Sequence, residues 1–317
     1  MMQSPLYRDF SNWLAEIFPF KVQKISLHAG FTCPNRDGSI GQGGCTYCNN
    51  QTFNPAYCET EKSITRQLEE GKAFFARKYP SMRYLAYFQA YTNTYGDFDS
   101  LRRKYEEALA VEGVVGLVIG TRPDCVSPEL LDYFASLRQR TFVLLEYGIE
   151  SVYDTTLQRI NRGHSFAVSQ WAIRETAARG IPVGGHVILG LPGESREQVL
   201  ASASQLSALP LTLLKLHQLQ LIKDTRMAHE YFLDAHDFPC YTVEEYVDLL
   251  VDYLALLRPD LVLDRFVSQS PPDLLALPGW GLKNFEFTER LKKRLRERNI
   301  HQGQAYFPAQ QIKNAAR

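Results

Sequence analysis

Three cysteines share one glycine-rich loop, GFTCPNRDGSIGQGGCTYCNN at 30–50, where they stand as Cys33, Cys45 and Cys48. Eleven residues separate the first from the second, and two separate the second from the third. A glycine-rich loop offers little core for thiols to pack into, so the three read as ligands. A structural zinc site wants four nitrogen or sulfur ligands, often from paired CxxC units. Cys45 and Cys48 make one such pair, Cys33 has no close partner, and Cys58 or His28 could complete the set. A cubane iron–sulfur cluster also wants four ligands, one for each iron. Three protein cysteines then leave one iron open to a small molecule. Both readings stand on these residues alone.

The rest of the chain must position this loop. Its 317 residues suit one large domain, or one domain with a small appendage, and 45% hydrophobic content is enough to bury a sizeable core. Thirty-five basic and 35 acidic side chains cancel to a formal charge of zero, so no global attraction to nucleic acid or membrane is built in. Apolar runs such as VVGLVIG at 114–120 suit buried strands and are too short to span a bilayer. The N-terminal stretch MMQSPLYRDFSNWLAEIF carries Asp9 and Glu16 and lacks a signal-peptide pattern. A cytoplasmic location is expected, where thiols stay reduced and the six cysteines serve as ligands, nucleophiles or packing.

Strands are predicted at 22–28, 84–90, 114–120, 141–150, 181–190 and 211–222. Helices are predicted between them at 62–79, 98–110, from Ser127 and Pro128 onward, at 165–180, and after a Ser195–Gln198 capping box. A second capping box, Thr242 with Glu245, opens a helix to about 257, and 261–267 reads as a last strand. This alternation implies a parallel sheet, either doubly wound or closed into a full or partial barrel. In either form the chemistry belongs at the C-terminal ends of the strands. The cysteine loop follows the first strand and so lies at that end.

With the loop in that place, the chain resembles the radical S-adenosylmethionine (SAM) superfamily, including the aromatic Tyr47 just before the last cysteine. The commonest spacing there is CX3CX2C, whereas this chain has CX11CX2C; longer first spacings occur in the elongator type. TRPD at 121–124 resembles the same type. GIES at 148–151, INRGH at 160–164 and HVILGLPGES at 186–195 resemble both the elongator type and the oxygen-independent coproporphyrinogen oxidases. KISLHAGFTCPNRDGSIGQGGCTYC, FQAYTNTYGD and PPDLLALPGW resemble a compact bacterial family of elongator-like radical SAM proteins, part of which is implicated in remodelling the wobble-uridine side chain of tRNA.

The resemblance implies an α/β fold: a partial (β/α)6 radical SAM barrel over 1–225 with a C-terminal α/β extension over 226–317. It implies a [4Fe–4S] cluster on Cys33, Cys45 and Cys48, with SAM on the fourth iron, and glycines 38, 41, 43 and 44 wrapping the cluster. Glu150 is then expected on the SAM ribose and Arg162 on its carboxylate, with His186 as a further SAM contact. Tyr91 and Asn93 stand where backbone groups meet the methionine amino group. Expected partners are tRNA and an electron donor such as flavodoxin or ferredoxin, with no membrane. The alternatives are a radical SAM reaction on a small molecule such as a porphyrinogen, or a non-catalytic zinc-containing RNA-binding protein.

Four further features carry no assigned role in the resemblance. Lys215 and His217 lie two apart on one predicted strand and share a face, either lumen or outside. Cys125 reads as core packing, or else a lumen thiol, and Cys58 and Cys240 as structural. ERLKKRLRERN at 289–299 is the one basic run, with Leu291 and Leu295 as an apolar stripe; it is either a solvated helix face or a contact to tRNA phosphates.

Overall fold

The apolar runs form a single parallel sheet. In this computed structural model, residues 5–308 are described, except 54, 77–80 and 278. Seven strands lie in sequence order: β1 (Val22–Leu27), β2 (Arg83–Phe88), β3 (Val114–Thr121), β4 (Phe142–Glu150), β5 (Val183–Leu189), β6 (Leu213–Gln218) and β7 (Val262–Arg265). Every neighbouring pair is parallel, and the sheet curves into a half-barrel. The last strand, predicted within the C-terminal extension, is the seventh of this sheet rather than part of a separate one.

Side-chain alternation divides the sheet into two faces. Ala86, Phe88, Leu117, Ile119, Val143, Leu145, Leu214 and Leu216 join the large core beneath the helices. Leu85, Val118, Leu144, Leu213 and Val262 face the other way, into a smaller cluster with Phe10, Trp13 and Leu14. Those three belong to α1 (Phe10–Ile17), which seals one end of the lumen with an apolar plug. Asp9 caps α1 by accepting from the Ser11 and Asn12 amides.

The covering helices are α2 (Ile64–Ala76), α3 (Phe98–Ala110), α4 (Pro128–Arg138), the short α5 (Asp154–Arg159), α6 (Phe166–Ala178) and α7 (Arg196–Ser207). The end of the first predicted helix, 77–79, lies outside the described residues. Ser127 caps α4 through the Leu130 amide, and both predicted capping boxes form. The predicted strand 211–222 ends at Gln218, because its remaining residues turn away into a loop.

After β6 come α8 (Arg226–Leu233), α9 (Val243–Leu256) and α10 (Asn284–Glu297). The basic run falls on α10, and its stripe, Leu291 and Leu295, is fully buried. The arginines are spaced by four and face acids spaced by four on α9: Arg290 and Arg294 on Glu244, Arg294 on Asp248, and Arg298 on Asp252. Lys292 and Lys293 pair within α10 with Glu289 and Glu297. Much of the run is therefore committed to holding α10 on α9. No helix among the described residues is long and apolar enough to cross a membrane.

Candidate active site

A cavity of about 1110 Å³ occupies the lumen above the α1 plug. Its lining includes Cys48, Tyr91, Glu150, Arg162 and His186, together with Lys215 and His217, which settles the face of that last pair as the lumen. Asn93 is not brought there. It is buried behind the lining, and its Nδ2 donates to the Gly120 carbonyl at 2.8 Å.

Of the three loop cysteines, Cys48 lines the cavity, and Cys45 and Cys33 stand near it. Cys45 is buried, and Cys33 and Cys48 are half-buried. Burial pushes the Cys48 thiol up to about 11, and the neighbouring Cys45 and Cys33 act in the same direction. Asn35 Nδ2 and Arg162 Nη1 each lie 3.6 Å from Cys45 Sγ, and Asn50 Nδ2 lies 3.6 Å from Cys48 Sγ. These N–H groups suit the sulfurs of an iron–sulfur cluster.

Neither expected fourth zinc ligand joins them. Cys58 donates to the Ser26 carbonyl at 2.9 Å, and burial pushes it up to about 12. His28 Nδ1 accepts from the Gly30 amide at 3.2 Å. Among the described residues, no three His, Cys, Asp or Glu side chains converge on a single-ion site. A structural zinc site is therefore not assembled around these cysteines among the described residues.

Arg162 links the thiols to the rest of the cavity. It is buried, its Nη2 donates to the Gly148 carbonyl at 2.7 Å, and it stands 3.6 Å from Glu150. Its Nε is buried with no partner among the described residues, a donor left for an acceptor that enters the site. Gly148 makes this approach possible, because a Cβ there would stand 2.7 Å from Arg162 Nη2 and 2.5 Å from Glu150 Oε1. Tyr91 and Glu150 both adopt left-handed backbone, with φ of 61° and 66°. Strain of this kind at non-glycine residues clusters at binding sites.

Behind Arg162, the TRPD motif ties the loop down. Arg122 grips Asp124 through two nitrogens and donates to the Arg162 carbonyl at 2.8 Å. Asn161 Nδ2 donates to the Gly44 carbonyl at 2.8 Å, and the Thr46 amide donates to Ile160. Cys125, next to Asp124, is pushed up to about 12 chiefly by burial, which makes it a poor thiolate.

Lower in the lumen lies a charged layer of which the sequence analysis had singled out Lys215 and His186 but not Glu146, Lys24 or Asp264. Glu146 is fully buried and meets Lys215 at 2.6 Å, His186 at 3.0 Å and Lys24 at 3.2 Å. Lys24 also pairs with Asp264 at 2.7 Å, joining the two edge strands β1 and β7. Burial alone would raise Glu146, but the two ammonium groups and the His186 N–H outweigh it and hold the carboxyl well below its usual range. A carboxylate only accepts, so His186 donates from Nε2 and is kept as that tautomer. Its side chain is thereby committed to the floor of the cavity, and only Nδ1 remains for a cofactor. The available signal was a charge in the middle of the buried strands β4 and β6, where near-continuous apolar residues are the rule.

Comparison with known proteins agrees with this architecture. A family model described as the Radical SAM superfamily matches residues 33–206, and one described as the Radical_SAM C-terminal domain matches 211–297. The uncharacterized protein YtqA of Bacillus subtilis is 34% identical over 95% of this chain and 92% of its own length. Protein YhcC of Escherichia coli K12 is 35% identical over 96% and 97%. Among solved structures, archaeal Elp3 from Methanocaldococcus infernus shares the fold, with a TM-score of 0.64 at 17% identity. That match covers 89% of this chain but only 64% of the Elp3 chain. On the superfamily match and the near full-length relatives, the chain belongs to the radical SAM superfamily, whose members are enzymes that bind a [4Fe–4S] cluster and SAM.

Proposed function

We propose that Cys33, Cys45 and Cys48 ligate three irons of the cluster, and that the cavity beside them holds SAM and one nucleoside-sized group of a tRNA. When bound there, the two cofactors would supply the radical chemistry that removes a hydrogen atom from the substrate. The observation that carries this reading is the meeting of Cys48, Glu150 and Arg162 in one cavity of about 1110 Å³.

The chain's own residues orient and enclose. Arg162 offers its unpartnered Nε to the SAM carboxylate, a planar donor set suited to that anion. Glu150 accepts from the ribose hydroxyls. Tyr91 shapes the backbone that meets the methionine amino group, and Nδ1 of His186 is available to the bound ligand. The α1 plug and the charge layer close the lumen from below and exclude water from a reactive radical.

The substrate we assign is the wobble-uridine side chain. Resemblance to the compact elongator-like family supports it, as does a cavity larger than one cofactor needs. A base turned out of its stack enters such a pocket at the cost of a few kcal/mol of unstacking. A low-potential donor such as flavodoxin or ferredoxin supplies the electron, and the reaction runs in the cytoplasm. The test is nucleoside mass spectrometry of tRNA from a deletion strain. A changed wobble-uridine side chain, restored by the wild-type gene and not by Cys45→Ala, supports the assignment. Unchanged tRNA nucleosides remove tRNA as the substrate.

A further inference from the structure

The eleven-residue spacer between Cys33 and Cys45 folds back on itself. The amides of Arg36 and Asp37 donate to the Cys33 carbonyl at 2.8 and 3.1 Å, and Ile40 N returns to Pro34 O at 2.9 Å. Asp37 and Gln42 form an antiparallel bridge. The Gly44 amide donates to the Asn35 carbonyl at 2.8 Å and closes the base. Residues 36–43 are thus a closed excursion. Across its base, only Pro34, Asn35 and Gly44 stand between the two cysteines. The thiols are presented as if spaced by three residues and then two, although the sequence reads eleven and two. Glycines 38, 41 and 43 lie within this excursion, and only Gly44 sits at its base.

The excursion carries a cation. Arg36, its first residue, turns back so that Nη2 donates to the Cys48 carbonyl at 2.7 Å. Its side chain lies against Gly44, where φ is +80° and a Cβ would stand 2.8 Å from Arg36 Nε. No carboxylate pairs with Arg36 among the described residues. At the tip, Ser39 Oγ is 2.7 Å from Tyr95 OH, which holds the excursion against the loop after β2.

We propose that residues 36–43 are an insertion that leaves the three-cysteine frame intact and delivers the Arg36 guanidinium to the Cys48 side of the cluster, where it raises the reduction potential. A fixed cation beside thiolate ligands favours the reduced, more negative cluster. This rests on the reading of Cys33, Cys45 and Cys48 as the cluster ligands.

Two variants test it. One excises 36–43, leaving Cys-Pro-Asn-Gly-Cys; the other is Arg36→Gln, which keeps a hydrogen-bond donor and removes the charge. Each is reconstituted anaerobically with iron and sulfide and titrated by EPR-monitored potentiometry without SAM. The excised variant should bind iron as the wild type does, and both variants should shift to more negative potential by similar amounts. An excised variant with a wild-type circular dichroism melt but no cluster would overturn the insertion. Arg36→Gln at the wild-type potential would overturn the role of the charge, and it decides alone if the excised chain does not fold. A wild-type chain that assembles no cluster is a separate result, and it defeats the ligand reading itself.

Discussion

The Arg162 guanidinium reaches the Cys45 thiol across 117 residues of sequence, with Nη1 3.6 Å from Sγ. The same side chain lines the cavity proposed for SAM, where its Nε is left without a partner among the described residues.

Removing that side chain separates the two. Arg162→Ala deletes a charge-assisted hydrogen bond to SAM, a loss of roughly 1.5–3 kcal/mol, which is about tenfold or more in affinity. Iron content should be retained, because the three thiols remain. Arg162→Lys keeps the charge without the planar fork and should fall between. Isothermal titration of SAM into anaerobic protein reads this, and unchanged affinity in Arg162→Ala refutes the role.

The thiols themselves are expected to be unequal to the other cysteines. Cys33→Ala, Cys45→Ala and Cys48→Ala should each lose most of the bound iron. Cys58→Ala should keep it, since Cys58 is occupied with the Ser26 carbonyl. Iron and sulfide analysis after reconstitution distinguishes them. Loss in Cys58→Ala with retention in Cys33→Ala would reassign the ligands.

The buried charge layer predicts a stability effect with a definite sign. Lys215→Met strips Glu146 of its nearest cation, and breaking a buried pair costs about 3–5 kcal/mol. Glu146 has an ordinary value of 4.5 and lies well below it when folded. Its stabilisation is complete above about 4.5 and is lost as pH falls through the folded value. A Glu146→Gln, Lys215→Met double variant should therefore recover part of the loss, and its stability should fall less steeply below pH 4.5. Urea unfolding over that range makes the comparison.

If α10 positions tRNA, it must do so with the charges that α9 leaves available. Lys293 and Arg296 project away from the arginine ladder, whereas Arg290, Arg294 and Arg298 are engaged with acids. Neutralising Lys293 and Arg296 together should flatten the salt dependence of tRNA binding, by roughly 0.7–0.9 in log–log slope for each phosphate left without its cation. The helix should stay folded, because Leu291 and Leu295 are untouched. Identical slopes would return α10 to a purely structural role.

Much of this architecture was legible because local signals agreed with the global fold. Ser195 with Gln198 and Thr242 with Glu245 specify their caps within four residues, and the helix 98–110 has the predicted bounds. The α1 helix was missed although Asp9 is a sound N-cap signal, because its partner is a lumen built from five distant strands. The charge layer was seen only at Lys215 and His186, for a related reason. Lys24, Glu146, Lys215 and Asp264 come from four strands, and no spacing along the chain relates them. The closed excursion at 36–43 was not legible, because its closing hydrogen bond joins backbone groups of Asn35 and Gly44, which no side chain announces.

The most direct test of the central claim is the 5′-deoxyadenosine released when the anaerobically reconstituted protein is given SAM and a low-potential reductant. The wild type, carrying about four irons per chain, should release 5′-deoxyadenosine and methionine together, and Cys45→Ala should release neither above the protein-free control. A wild-type chain that holds its cluster and binds SAM, yet yields no 5′-deoxyadenosine under reduction with or without tRNA, would contradict the account.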